Sequence, residues 1–127
     1  MKTDLSYVDE IYHFPGMWDV PSLCGLRIAR HPDQHVVVAT ELFEQNPGTS
    51  VTNCCAQLAN RLVAERGLDP DRLVFIEHSP ETGSRLEFYA ESFHRVTFRR
   101  DATGLRDPDW SELERAEVDR LLAGGGT

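Results

Sequence analysis

The chain has 127 residues, 40% of them hydrophobic and 27% charged, with thirteen basic and twenty-one acidic side chains for a formal net charge of −8. That balance excludes a disordered, collagen-like or coiled-coil chain, and a domain of this length buries roughly two thirds of its unfolded surface, enough to fold without a disulfide frame or structural metal. Net negative charge removes nucleic acid and anionic membranes as default partners.

Lys2 is the one lysine among the thirteen basic residues, a skew that reads as a GC-rich bacterial coding bias. The stretch from Met1 to Glu10 is acidic and has no apolar run, so it does not read as a leader. No stretch approaches the roughly 18 to 20 consecutive apolar residues of a membrane span. A cytoplasmic protein is expected. Cys24, Cys54 and Cys55 form no CxxC pair and are expected as reduced core thiols. The alternative is a reactive thiol at a helix start, where the helix dipole depresses a thiol pKa.

In chain order, residues 1–22 read as an irregular aromatic arm, broken by Pro15, Gly16 and Pro21, with Phe14, Met17 and Trp18 set to plug one end of the core. Leu23–Ala29 and His35–Leu42 flank a Pro32-Asp33 turn and predict a hairpin. The β-branched run from Val36 to Val38 fits a strand covered on both faces. Asn46-Pro47-Gly48 is then a loop, and Thr49 or Ser50 caps a helix whose inner face is Val51, Cys55, Leu58 and Leu62. Gly67 and Pro70 end that helix.

Leu73–Ile76 predicts a second central strand, with Glu77 and His78 at its end. From Arg85 to Arg99 the apolar alternation shifts phase near Ser92, which fits one long bent strand or two joined strands, with an edge at Arg95–Arg99. Asp107-Pro108-Asp109 predicts the start of a last helix facing inward through Trp110, Leu113, Ala116, Val118 and Leu121. Residues 123–127 read as a flexible Gly tail. The expectation is one domain over 1–127 of the α+β class: two layers, a mostly antiparallel sheet in β-β-α-β-β-α order, helices mainly on one face.

Two places carry candidate chemistry. A Pro-Gly loop opening a helix presents free backbone N–H groups, so Asn46, Gly48, Thr49, Ser50 and Asn53 are candidate ligands for a phosphate or carboxylate, although the segment is neither a P-loop nor a dinucleotide fingerprint. Glu41, Glu77 and His78 end the two central strands and are the candidate acid–base residues if those strands are neighbours. Adjacent strand residues point to opposite faces, however, so Glu77 and His78 share a pocket only if the strand has already ended. The histidines show no zinc spacing, so no metal or cofactor is expected.

The function expected is a small binding or regulatory protein acting through protein–protein contact, with the aromatic arm or an acidic face of Glu112, Glu114, Glu117 and Asp119 as the contact. One alternative is a small hydrolase or transferase holding a phosphorylated or carboxylated ligand at the start of the long helix. Another is an acidic mimic of nucleic acid. The main partner expected is another protein, with a small anionic ligand second and neither nucleic acid nor membrane.

Overall fold

The structure, a computed structural model, describes residues 6–15, 21–42, 51–80 and 91–123, with Phe14, Pro15, Pro21, Ser22 and Asn53 described by their backbone alone. Its elements are β1 (Glu10–Pro15), β2 (Pro21–Arg30), β3 (His35–Thr40), α1 (Val51–Arg66), β4 (Leu73–Ser79), β5 (Ser92–Asp101), β6 (Gly104–Leu113) and α2 (Arg115–Ala123). The strands form one six-stranded sheet in the order β1-β2-β3-β4-β5-β6. Every neighbouring pair is antiparallel except β3 with β4, which run parallel because α1 carries the chain back across the sheet.

The α+β class and the mostly antiparallel sheet agree with the pattern of the residues, but the order is βββαβββα and the helices do not share a face. Val37, Ala39 and Phe75 pack with Cys54, Leu58 and Leu62 of α1. Val36, Val38, Val74 and Ile76 pack with Val118 of α2 and with Tyr7. Alternate residues of β3 and β4 thus meet different helices, so the expected two layers become three around the central strands. Each fully buried Leu or Val in these clusters is worth roughly 1.5–3 kcal/mol, which explains an apolar run with no alternation.

The expected arm contains β1, paired with β2 from Glu10↔Leu26 to Pro15↔Pro21. Arg95–Arg99 is not an edge: β5 lies between β4 and β6. The last helix begins later than expected, at Arg115, and Asp107–Leu113 belongs to β6. Pro108 is tolerated there because β6 is the edge strand among the described residues, where no further described strand needs its missing N–H. The helix expectation failed because β6 is mostly exposed and carries little apolar alternation. α1 stops where the glycine sits, with Gly67 at φ 65°.

Asn60 ties α1 to β6. Its Nδ2 donates to the Leu105 carbonyl at 2.8 Å and its Oδ1 accepts the Leu105 N–H at 2.8 Å. Gly104, at φ 123°, leaves room for that amide, since a Cβ there would lie 2.6 Å from Asn60 Oδ1.

Candidate functional site

The β3-α1-β4 unit brings the carboxyl ends of two parallel strands and the start of a helix to one place, where open sheets leave a crevice. The parallel register sets Ala39 beside Glu77 and Thr40 beside His78, and the Glu41 N–H continues the pairing to the His78 carbonyl at 2.9 Å. Period-two alternation then sends Glu77 to the α1 face and His78 to the α2 face.

On the α1 face, Glu77 is buried and its Oε2 accepts the Thr52 hydroxyl. Its Oε1 lies 3.7 Å from His94 Nδ1, an ion-pair distance but outside hydrogen-bond reach. Around this carboxylate opens a pocket of about 270 Å³ lined by Thr52, Glu77, Ser79, Ser92, His94 and Trp110. The register explains the lining: His94 pairs with Glu77 and Ser92 with Ser79, while Glu112 of β6 pairs with His94. Trp110, two residues from Glu112 on the same face, is 37% exposed at the rim.

The electrostatics are those of crowded negative charge. Glu41 titrates above the usual carboxylate range, chiefly because burial penalises its anion and then because Glu77 is near, although the Val51 N–H offsets part of this by bonding to it. Burial, with Glu77 adding to it, pushes the Cys55 thiol up to about 12. Position in the first turns of a helix therefore does not activate this thiol. Cys24, Cys54 and Cys55 are all buried thiols outside any disulfide, as expected of core thiols.

On the opposite face His78 is fully buried. Its Nδ1 lies 3.2 Å from Thr40 Oγ1 and its Nε2 lies 3.1 Å from Glu91 Oε2. Because an ionised carboxylate only accepts, Nε2 donates to Glu91. The ring stacks on Phe93 with centroids 4.4 Å apart and meets Tyr7 edge-on at 5.2 Å. Arg115 of α2 joins Glu91 at 3.1 Å, and the Tyr7 hydroxyl donates to Asp119 at 2.5 Å, with its own pKa raised to about 12 chiefly by burial. These bonds fasten α2 to the sheet.

The structure thus brings Glu41 and Glu77 together at the start of α1 and separates His78 from both by the thickness of the sheet. Asn46, Gly48, Thr49 and Ser50 lie outside the described residues, and Asn53 lies in the first turn of α1. Residues 16–20, 81–90 and 124–127, which held the expected plug, the alternating stretch and the tail, lie outside them too. Of the expected acidic face, Glu112 sits in β6, Glu114 precedes α2, Glu117 pairs with Arg120 at 2.9 Å, and Asp119 is taken by Tyr7. Sequence reasoning missed His94, Ser92 and Trp110, which reach the pocket through strand register alone. Among the described residues, no group of three or more His, Cys, Asp or Glu side chains is placed to hold a metal ion, and no helix is long and apolar enough to cross a membrane. A scan against known protein families, a search of curated proteins and a search of solved structures return no match.

Proposed function

We propose that the protein is a small binding or regulatory protein that works by contact with another protein, and that the contact is made where the Glu77 pocket opens beside Trp110. The observation that carries this reading is the pocket's size set against its lining. At about 270 Å³ it falls below the roughly 300–1,000 Å³ of sites for drug-sized ligands. It has room for one side chain, and its rim carries an exposed tryptophan, a residue type enriched at the energetic centres of protein interfaces.

The test is differential capture on immobilised full chain. The reading expects a protein that is retained by the wild type and by Ile11→Ser on the far edge strand, and lost with Trp110→Ala. Equal retention by Trp110→Ala, or loss with Ile11→Ser alone, contradicts it.

A second reading, a hydrolase or transferase, draws support from the Glu77 and His94 pair standing in one pocket with the Ser79 and Ser92 hydroxyls. Turnover of a phosphate or carboxylate ester that is abolished in His94→Gln would favour it, and absence of turnover across a panel of such esters would remove it. Mimicry of nucleic acid draws less support, because Asp9, Glu10, Asp69, Asp71 and Asp101 are paired with arginines.

A further inference from the structure

We propose that the Glu77 pocket receives the guanidinium group of an arginine side chain of the partner protein. The inference rests on the protein-contact reading and adds the chemistry of what enters.

The first support is a carboxylate acceptor on the pocket wall. Glu77 is 4% exposed; among the described residues its Oε1 has His94 at 3.7 Å, while its Oε2 holds the Thr52 hydroxyl. Glu77 lines the pocket, so a cationic donor that enters it gains a charge-assisted hydrogen bond to this carboxylate. The second support is charge. Glu77 lines the pocket, Glu41 stands close enough to feel its charge, and Glu112 follows His94 in the next strand. Among the described residues, no arginine or lysine lines the pocket. Arg95, next to His94, pairs with Ile76 and so alternates to the other face. An incoming anion would meet this carboxylate directly, so the small anionic ligand expected of the α1 start does not suit this pocket.

The third support selects the kind of cation. A metal ion needs several converging donors, and among the described residues no such group forms. A guanidinium needs acceptors in a plane and tolerates partial desolvation better than an ammonium. Here the Glu77 carboxylate and the Ser79 and Ser92 hydroxyls line the pocket as acceptors, and Trp110 at the rim is the residue type that attracts cations best through its ring. A net charge of −8 draws a basic partner toward the surface before the side chain docks.

The experiment is calorimetric titration of the full chain with N-acetyl-arginine methylamide and with its citrulline counterpart, which keeps the shape and loses the charge. Wild type should bind the arginine compound about tenfold more tightly or better, and Glu77→Gln should erase that preference while keeping the wild-type melting temperature. Trp110→Leu should weaken both compounds. Equal affinity for the two compounds, or no saturable binding at tens of millimolar, overturns the proposal, and the citrulline arm decides even if Glu77→Gln folds poorly. A captured partner lost with Trp110→Ala but kept by Glu77→Gln would overturn the arginine assignment alone and leave the contact reading standing. Loss of neither would overturn both.

Discussion

Glu77 and His78 are neighbours in one strand and differ in everything that follows from the face each occupies. His78 is enclosed by Tyr7, Phe93, Thr40 and Glu91, its ring nitrogens are bonded, and its surroundings tie α2 to the sheet. Glu77 is nearly as buried but lines a pocket, with His94 at ion-pair distance from one carboxylate oxygen. The contrast teaches that burial alone does not mark function. A buried polar group whose partners are all supplied by the fold stabilises, whereas one left facing a pocket is available to a ligand.

The comparison breaks most readily in stability. His78→Ala should cost about 3–4 kcal/mol, because a packed ring is lost and Thr40 keeps a buried hydroxyl without its partner. Glu77→Gln should change stability by less than about 1 kcal/mol, since the amide oxygen still accepts from Thr52. Urea denaturation of the two variants measures both, and equal losses would dissolve the distinction.

High pH sharpens the account of the His78 side. The Tyr7 phenol titrates at about 12 in the folded chain against 10.0 for the free group, so the folded state holds its proton more tightly. Its contribution is present in full below about pH 10 and is lost as the pH rises toward 12, on the order of 3 kcal/mol at about 1.4 kcal/mol per pH unit. Cys24 and Cys55, both pushed up to about 12 by burial, act with the same sign from about pH 9 upward. Tyr7→Phe should therefore flatten the alkaline limb of the stability profile; an unchanged limb would contradict the burial of that phenol.

Asn60→Ala tests whether α1 holds the strand that carries Trp110. Losing both bonds to Leu105 should cost about 1–2 kcal/mol and speed hydrogen exchange in β6 before β4; uniform exchange would show that Asn60 does not hold β6. The smallest effect belongs to the Glu77 side. Glu41→Gln removes a half-buried charge beside Glu77 while keeping an acceptor for the Val51 N–H. It should stabilise the protein slightly at pH 7. A raised carboxyl pKa favours the folded state only where the group is protonated, so the gain should vanish toward pH 4. A loss at pH 7 would show that Glu41 is held by more than its charge permits.

Much of this was legible where the chain's local chemistry and its buried faces agree. The run Val36-Val37-Val38 and the run Leu73–Ile76 carry apolar residues at every position because helices cover both faces, and Gly67 ends α1 in the left-handed conformation that its position suggests. The opposite facing of Glu77 and His78, and the meeting of Glu41 with Glu77, follow from alternation once β3 and β4 are adjacent. What stayed hidden was set by register and by exposure. β1 lies among residues chosen for an edge, with Ile11 48% exposed. β6 opens its hairpin at Gly104 and contains Pro108 and a positive φ at Asp107, features that read as a loop followed by a helix. His94 and Trp110 carry no motif, and only the antiparallel pairing of β4, β5 and β6 brings them to Glu77.

The most direct measurement is a nitrogen–proton correlation spectrum of the labelled protein titrated with N-acetyl-arginine methylamide. The account predicts saturable shifts centred on the amides of Thr52, Ser79, Ser92 and His94 and on the Trp110 indole N–H, with α2 and the residues around His78 unmoved. Shifts centred on α2 or on β1, or a spectrum that does not change, would contradict the claim that the Glu77 face is the side of the sheet that binds.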